Sequence, residues 1–388
     1  MDRIILHCDM NSFYASVELL EHPELKDAPV AVAGDPEGRH GIILAKNEAA
    51  KKYGVKTAET IWQAKKKCPD LITLPPHHEK YGEMSKMINE IYLDYTDLVE
   101  PFSIDESWLD VTGSVNLFGS GREIADSIRM RVREELGITL SAGVSFNKIF
   151  AKMGSDYKKP DATTVIDRSN FKELLWPMPV NEMFFCGAKT ARKLNDSGIM
   201  TIGDLACADK DYLEAILGKH GSQLYIYANG LDDTPVSPYT EKRDIKSVGH
   251  GNTFRYDIST DDEIRKELIA LSDRVATRLR GYSMKAGGVK VDIKDVELKS
   301  ISRQEQLTSP TDSAGVIADL AFRIIKRSWD SGKPIRMLTV TAISLVSKDE
   351  GIQMSMFDTP KETNENLEKA MDDIRSKFGK DAITFGKK

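Results

Sequence analysis

The sequence predicts an α+β fold, and three local patterns in its first part carry that prediction. The apolar run IILHC at 4–8 is typical of a buried strand. Ser120 and Glu123 form a capping box at the start of a helix, and Gly137 ends that helix. The run LSAGVS at 140–145 predicts a further strand.

Similar signals predict the elements between these strands: a helix at 13–21, strands at 30–34 and 41–45, and lysine-rich helices at 46–53 and 59–67. Apolar residues that recur every three or four positions predict a helix across 79–98. A strand at 99–104 and a returning strand at 107–112 follow it. If 10–78 is an insertion, the remaining order is strand, helix, strand, strand, helix, strand, the split β-α-β pattern of ferredoxin-like domains.

This topology brings three acidic side chains to one edge of the predicted sheet. The first two strands are parallel, so the end of the first strand, at Asp9, lies beside the turn at Asp105 and Glu106. Three carboxylates repel one another unless cations lie between them, and their oxygens suit Mg²⁺. Two such ions would activate an attacking hydroxyl and stabilise a leaving pyrophosphate. The alternative, a solvated hairpin turn, explains Asp105 and Glu106 but not Asp9.

Length, charge and cysteine usage define the broad class. The 388 residues are enough for several domains, and the formal net charge is −6. Residues 244–347 are locally basic, with 17 Lys and Arg against 14 Asp and Glu. The four cysteines include no CxxC pair, which argues against a zinc site or a disulfide framework and favours a reducing cytoplasm. No apolar run is long enough to predict a signal peptide or a membrane span.

Two acidic motifs resemble those of a known family. CDMNSFYASVE at 8–18 and SIDESWLDVT at 103–112 resemble the metal-binding motifs of Y-family, DinB/UmuC-like translesion DNA polymerases. Further matches follow in the expected order: KNEAAKKYGVKT (46–57), FAKMGSDYKKP (150–160), GAKTARKLNDSGIMTIGDL (187–205) and KSVGHGNTF (246–254). The resemblance implies a monomeric enzyme of low fidelity that extends primer-template DNA from deoxynucleoside triphosphates and tolerates damaged templates.

The resemblance also implies the architecture of a right-hand polymerase. Its parts would be a ferredoxin-like palm at 1–9 and 79–165, small fingers at 10–78, a helical thumb with a helix-hairpin-helix at 166–231, a linker at 232–243, an α+β little finger at 244–347 and a C-terminal tail at 348–388. The locally basic little finger would lie on duplex DNA.

The same resemblance assigns residues to the reaction. Three acids would be catalytic and would hold two Mg²⁺ ions together with one backbone carbonyl: Asp9, Asp105, Glu106 and the carbonyl of Met10. Phe13 and Tyr14 would lie under the sugar of the incoming nucleotide, with Tyr14 as the steric gate that excludes a 2′-hydroxyl. Without the motif, both rings would be interpreted as core packing. Lys159 would reach the triphosphate.

The stretch expected to contact the triphosphate departs from the family pattern. Where many relatives have threonine, tyrosine and arginine, this chain has Ala45, Glu48 and Lys51. Lys51 supplies charge without the bidentate fork of arginine, and Glu48 would repel phosphate if it pointed inward. Asn11 replaces a common acid that is not usually a ligand. These departures bear on nucleotide affinity and leave the predicted metal site intact.

Two further segments imply contacts with DNA and with a protein. Residues 185–194 resemble a helix-hairpin-helix, although Phe185 replaces its first glycine. Its contacts to a DNA phosphate would come from Gly187, Lys189 and Thr190. The segment at 351–358 resembles the peptide that docks into a sliding clamp of the bacterial β-subunit type. Its anchors would be Gln353, Met354, Met356 and Phe357.

Two other functions stay open from the sequence. A non-catalytic scaffold that binds DNA and the clamp in a repair complex would explain the altered triphosphate stretch, but not the three acids. Another palm-type enzyme, such as a nucleotide cyclase, would need neither the hairpin nor the clamp peptide.

Overall fold

The computed structural model describes residues 2–35, 41–241, 244–330, 332–348, 365–379 and 382–383. Described residues up to 241 form one compact unit, and those from 244 onward form a second. Both units contain helices and strands, which confirms the predicted α+β class. None of the described helices is long and apolar enough to cross a membrane.

The described residues form twelve strands: β1 (Ile5–Met10), β2 (Val30–Ala33), β3 (Ile43–Lys46), β4 (Ile72–Leu74), β5 (Val99–Pro101), β6 (Glu106–Asp110), β7 (Leu140–Ser145), β8 (Thr163–Ile166), β9 (Val248–Ile258), β10 (Met284–Asp295), β11 (Ser300–Thr311) and β12 (Ile335–Ser347). They also form fifteen α-helices: α1 (Phe13–Glu21), α2 (Glu48–Lys52), α3 (Ile61–Lys67), α4 (His78–Leu93), α5 (Val115–Phe118), α6 (Gly121–Leu136), α7 (Lys148–Tyr157), α8 (Phe171–Leu175), α9 (Ala188–Asp196), α10 (Ile202–Cys207), α11 (Lys210–Leu217), α12 (Lys219–Ala228), α13 (Asp261–Gly281), α14 (Ala314–Ser328) and α15 (Glu365–Phe378).

A five-stranded sheet in the order β5-β6-β1-β7-β8 positions the acidic residues. β6 lies antiparallel between β1 and β5, and β7 lies antiparallel on the other side of β1. The split β-α-β topology predicted from the sequence is therefore confirmed. β8 adds a strand beyond that prediction, because it pairs parallel with β7.

Helices cover both faces of this sheet. On one face, α4 and α6 bury apolar stripes that include Ile88 and Ile124. On the other face, Ala151 of α7 packs against Trp108 of β6. The backbone of α7 comes so close to β7 that a Cβ atom added to Gly143 would lie 1.9 Å from the Ala151 carbonyl oxygen. This glycine therefore allows α7 to bring its polar side chains onto β1.

The local signals explain where the helices begin and end. The Ser120 hydroxyl accepts a hydrogen bond from the Glu123 N–H, and the Glu123 carboxylate accepts one from the Ser120 N–H, so the predicted capping box is present. Gly137 ends α6 with a φ of 72°. α4 ends at Leu93, earlier than predicted. Tyr95 is buried in the connection that follows, so the apolar spacing continues beyond the last helical residue and made the predicted helix too long.

Two smaller cores complete the first unit. The sheet β3-β2-β4 packs with α2 and α3 around a cluster that includes Ile43 and Ala64. The helices α8 to α12 enclose a second cluster that includes Leu175, Leu194 and Leu224. In the second unit, α13 and α14 pack on the sheet β11-β10-β12-β9, with Leu279, Leu320 and Val340 in the core.

Candidate active site

β1 and β6 place two of the predicted acids opposite each other. Asp9 pairs with Glu106 in the antiparallel register, and the Met10 N–H donates to the carbonyl of Asp105 at 3.1 Å. Side chains alternate between the two faces of a strand, so His7 and Asp9 share one face of β1. The sheet therefore brings Asp9, Asp105 and Glu106 together from distant parts of the chain.

Two lysine ammonium groups lie among these carboxylates. Lys152 Nζ of α7 lies 2.9 Å from Asp9 Oδ2 and 3.0 Å from Glu106 Oε2. Lys159 Nζ also lies 2.9 Å from Asp9 Oδ2. Asp156 contacts both lysines, at 3.1 and 2.8 Å. Lys159, predicted to reach the triphosphate, is thus paired with a predicted metal ligand in this structure.

A buried histidine completes the floor of the site. His7 is fully buried, and its Nδ1 lies 2.8 Å from Ser155 Oγ. Its Nε2 lies 3.3 Å from Glu106 Oε2, and neither atom has a well-formed hydrogen bond. Burial lowers the pKa of His7, although the neighbouring carboxylates oppose that shift. The imidazole therefore adds little positive charge to the site.

The acids differ in how well their charge is compensated. Burial would raise the pKa of Glu106, but the adjacent His7 and the Lys152 charge outweigh it and lower that pKa to about 2. Burial raises the pKa of Asp105, and the charges of Asp9 and Glu106 raise it further. A hydrogen bond from Ser103 Oγ at 2.7 Å opposes this shift without reversing it. The cluster thus carries a surplus of negative charge next to Asp105.

One imidazole and two carboxylates form a group that suits a divalent metal ion. Among the described residues, His7, Asp9 and Glu106 each offer a ligand atom, and these atoms lie within 4.8 Å of one another. Asp105, the other predicted acidic ligand, is not part of this group. Glu106 Oε2 has Lys152 Nζ at 3.0 Å, whereas the pKa of Asp105 is raised first by burial and then by the charges of Asp9 and Glu106. Hard oxygen donors with excess negative charge are the ligands that Mg²⁺ prefers. Met10 lies beside them at the end of β1, with its side chain buried.

A cavity of about 330 Å³ opens beside the acids. Phe13 and Asp105 line it, together with three lysines: Lys46, Lys51 and Lys159. A pocket with acids on one side and cations on another suits a ligand that carries both a metal-bound group and an anionic tail.

The altered triphosphate stretch lines the same cavity. Ala45 and Glu48 are part of the lining, and Glu48 Oε1 lies 3.5 Å from Lys51 Nζ. The Glu48 charge is therefore offset by a neighbouring lysine. Lys46 Nζ donates to Thr57 Oγ1 at 3.0 Å, and burial together with the Lys51 charge lowers the pKa of Lys46. The cavity lining therefore has a second lysine near Lys51.

The two aromatic residues of the first motif differ in exposure. Phe13 is buried and lines the cavity. Tyr14 is partly exposed, and its ring stacks on Tyr81 with centroids 4.0 Å apart. Burial raises the pKa of the Tyr14 hydroxyl, and the Asp105 charge adds to this shift. Tyr14 therefore lies within electrostatic reach of the acidic cluster.

Known proteins are similar to this chain over its whole length. The impB/mucB/samB family matches residues 8–156, and the C-terminal domain of that family matches residues 245–356. The whole chain is 46% identical to a DNA polymerase IV of Acetivibrio thermocellus, of which it covers 97%. It is 38% identical to DNA polymerase IV 1 of Bacillus subtilis, over 99% of this chain and 92% of that one. The chain belongs to the DinB-type Y family of DNA polymerases.

A solved structure supports the same assignment. The fold is similar to that of a Y-family DNA polymerase chimera of Dbh and Dpo4, with a TM-score of 0.80 and 26% sequence identity. The similarity covers 89% of this chain and 99% of the chimera. As a Y-family member, the chain is a DNA-directed DNA polymerase.

The hairpin predicted to bind DNA keeps its turn without the first glycine of the Y-family pattern. Phe185 occupies that position with a φ of 68°, a left-handed conformation that normally favours glycine. Its ring is half exposed and contacts Phe184. Gly187 is the N-cap of α9, and Lys189 is exposed beside it, while Thr190 is partly buried. The anchors of the predicted clamp peptide lie outside the residues that the structure describes: Gln353, Met354, Met356 and Phe357.

Sequence reasoning missed four polar residues of this site: His7, Lys46, Lys152 and Asp156. Two signals could have found three of them, and no local signal singles out Lys46. His7 lies two positions before Asp9 on a strand, where alternation gives both side chains the same face. Lys152 and Asp156 are four positions apart on a helix, so they also share a face.

Proposed function

We propose that this Y-family chain transfers a nucleotidyl group from a deoxynucleoside triphosphate to the 3′-hydroxyl of a primer on damaged or intact templates. The observation that carries the proposal is the convergence of Asp9, Asp105 and Glu106 beside a cavity lined by lysines. Acids and cations meet there as nucleotidyl transfer requires. With DNA and deoxynucleoside triphosphates as its substrates, the enzyme would act in the cytoplasm.

The acids would hold two Mg²⁺ ions with help from the Met10 carbonyl. When bound, the ions supply activation of the primer hydroxyl and stabilisation of the leaving pyrophosphate. The chain's own residues prepare this site. Lys152 balances the charge of Asp9 and Glu106, and Asp156 holds the Lys152 ammonium at 3.1 Å. The close approach of α7 to β7 fixes where Lys152 lies.

Other residues would orient the nucleotide. Lys46, Lys51 and Lys159 would bind the triphosphate, since all three line the cavity. Phe13 would support the sugar, and Tyr14 would exclude a 2′-hydroxyl by contact with C2′. Low fidelity is supported by the small size of the β3-β2-β4 sheet, whose strands have only three or four residues. Such short elements leave few side chains to test the geometry of the new base pair.

The remaining parts would hold DNA and a partner. We assign the five-stranded sheet to the palm, the β3-β2-β4 sheet to the fingers and α8 to α12 to the thumb. A linker at 232–243 would lead to the little finger at 244–347, followed by the C-terminal tail at 348–388. Gly187, Lys189 and Thr190 would bind a DNA phosphate, supported by the exposure of Gly187 and Lys189. The peptide at 351–358 would dock a monomeric enzyme onto a sliding clamp.

Primer extension tests the proposal. With Mg²⁺ and one labelled deoxynucleotide, Asp105→Ala should abolish extension and leave primer-template binding within about twofold, because the lost carboxylate serves the reaction. Asp94→Ala is the matched control, since Asp94 is an exposed residue whose carboxylate pairs with Arg131 on the surface. Extension by the Asp105 variant at the rate of the Asp94 variant would refute the assignment.

A further inference from the structure

The ring of Tyr14 is supported from behind by a second tyrosine. Tyr81 of α4 stacks on it with centroids 4.0 Å apart and 13° between the ring planes. The His78 ring packs edge-on against both, at 5.8 Å from Tyr14 and 5.6 Å from Tyr81. The tilt of Tyr14 therefore depends on the position of Tyr81.

A buried carboxylate fixes the far end of Tyr81. Glu18 lies one helical turn after Tyr14 on α1, so both side chains face α4. The Glu18 side chain is 1% exposed, and it accepts hydrogen bonds from the Tyr81 hydroxyl and from His77 Nδ1, the latter at 3.0 Å. The Tyr81 hydroxyl also accepts the His77 N–H at 3.0 Å. Tyr81 is thus held at its hydroxyl by two groups and at its ring by Tyr14.

The Tyr81 hydroxyl is a firm donor to this carboxylate. Burial raises the pKa of Tyr81, and the hydrogen bond to Glu18 raises it further, so the hydroxyl keeps its proton. A buried carboxylate is costly unless it is hydrogen-bonded, and an apolar side chain would fill the same space without that cost. The acid at this position is therefore explained by the geometry it imposes on Tyr81.

We propose that Glu18 is a positioning residue for sugar selection, which acts through Tyr81 on the Tyr14 ring. The inference rests on the proposed function, in which Tyr14 excludes the 2′-hydroxyl. When Tyr81 can slide or rotate, Tyr14 gains room to tilt, and a ribonucleotide fits more easily. Deoxynucleotide insertion needs no such room, so it is little affected.

Single-nucleotide insertion by the full-length protein tests this role. The measured quantity is the ratio of kcat/KM for dCTP to kcat/KM for CTP opposite a template dG. Tyr81→Phe keeps the stack and removes the hydroxyl, and Glu18→Met keeps the volume and removes the acceptor. Each should lower the ratio by roughly three- to tenfold, the effect of one buried hydrogen bond, with kcat/KM for dCTP within about twofold.

Two variants serve as controls. Glu18→Gln should restore the wild-type ratio, because its amide oxygen still accepts the Tyr81 hydroxyl. Glu21→Gln should leave the ratio unchanged, since Glu21 joins the same two helices through an exposed contact of 2.5 Å to Lys80. Thermal unfolding of every variant is followed in the same buffer. Lower stability with an unchanged ratio would overturn the proposal, because a purely structural carboxylate would give that result.

Tyr14→Ala separates this inference from the function on which it rests. It should lower the ratio far more than either partner variant. If it leaves the ratio unchanged, the steric-gate assignment itself is wrong. If it abolishes discrimination while Tyr81→Phe and Glu18→Met both keep the wild-type ratio, sugar selection by Tyr14 stands and the role of Glu18 is refuted.

Discussion

Two clusters of buried charge join distant segments of this chain, and they differ in what remains uncompensated. The sheet-edge cluster, in the first unit, consists of Asp9, Asp105, Glu106, Lys152 and Lys159. The tail-helix cluster, in the second unit, consists of Asp273, Arg280, Glu368, Asp372 and Arg375. Both bury carboxylates against cations, and Asp105 and Lys159 of the first also line a cavity of about 330 Å³.

The tail-helix cluster satisfies its own polar atoms. The Glu368 carboxylate of α15 accepts from Ser313 Oγ at 3.0 Å and from the Ala314 N–H at 3.1 Å, so it caps α14. Arg375 binds Asp273 through two N–H groups, at 2.7 and 3.0 Å. A network in which each charge has a partner stabilises structure and offers no open ligand position.

The sheet-edge cluster leaves negative charge unmatched at Asp105. Glu106 is paired with Lys152 at 3.0 Å, but the pKa of Asp105 is raised by burial and by its acidic neighbours. Uncompensated repulsion of this kind is costly in the metal-free protein and is relieved by a bound cation. The comparison teaches that the balance of charge, rather than burial alone, distinguishes a ligand-binding site from an ion-pair network that only stabilises the fold.

Matched Asp→Asn changes in the two clusters test that distinction, and the largest effect is expected at Asp105. Asp105→Asn should lower primer extension at least about a hundredfold, because a metal ligand is lost. It should raise the thermal midpoint of the metal-free protein, because the ionised form of a group with a raised pKa is disfavoured in the fold. Extension assays and thermal unfolding in EDTA measure the two effects.

Asp372→Asn should give the opposite pair of results. Asp372 contacts Arg280, and the amide keeps the shape but loses the charge. Stability should fall while primer extension stays near the wild-type rate. The distinction between the clusters fails if both variants move stability in the same direction.

Glu368→Ala should give the largest loss of stability. It removes one of the two carboxylates that pair with Arg280, which is 9% exposed, and it removes the cap of α14. Breaking a buried ion pair in this way costs about 3 kcal/mol. We expect hydrogen exchange of α15 to accelerate by a corresponding factor of more than a hundred, with primer extension little changed.

Asp373→Ala is the matched control, because Asp373 is an exposed acid on the same helix. It should leave exchange of α15 within about twofold of wild type. If the amide hydrogens of α15 exchange at equal rates in the Glu368 and Asp373 variants, the ion pairs of Glu368 do not stabilise the docking of α15.

The sequence predicted the sheet-edge cluster better than the tail helix, and the reason is physical. Asp9 and the Asp105–Glu106 turn follow from strand order, which apolar runs and capping boxes reveal. The amphipathic pattern of α15 suggests apolar docking, but only Met371 is buried, while Leu367 and Phe378 are 51% and 75% exposed. Charged residues dock this helix instead, because their partners on α13 are distant in the sequence and no local pattern reveals them.

Lys152, one of the two cations of the sheet-edge cluster, was missed for the same reason. Lys152 has the spacing of an ordinary helical lysine, and only the close approach of α7 to β7 at Gly143 brings it to Asp9. Such contacts depend on packing distances between elements, which composition and periodicity do not encode.

Lys152→Met should have a smaller effect than Glu368→Ala, because Lys159 still compensates Asp9. We expect a loss of about 2 kcal/mol in the free energy of unfolding of the metal-free protein at neutral pH. The loss is linked to Glu106, whose pKa falls from 4.5 to about 2 in the fold partly through the Lys152 charge. A lowered pKa contributes stability above pH 4.5 that disappears as pH falls towards 2.

Two measurements check this linkage. The difference in stability from wild type should be full above pH 5 and should shrink towards pH 2. Mg²⁺ should raise the thermal midpoint more in the variant than in wild type, because the carboxylates have lost an internal cation. Lys158→Met, at an exposed neighbouring position, should show neither effect. A pH-independent loss would mean that Lys152 acts through packing alone.

The smallest effect is expected where charge is kept and only geometry changes. Arg375→Lys preserves the attraction to Asp273 but replaces two parallel N–H contacts, at 2.7 and 3.0 Å, by a single ammonium. Loss of the bidentate contact should cost about 1 kcal/mol, seen as roughly fivefold faster exchange of α15. Lys369→Arg, at an exposed position of the same helix, is the control for swapping lysine and arginine where no bidentate contact exists. If α15 of Arg375→Lys exchanges its amide hydrogens as slowly as wild type, net charge alone docks the helix. Satisfied hydrogen bonds would then no longer distinguish the tail-helix cluster from the sheet-edge cluster.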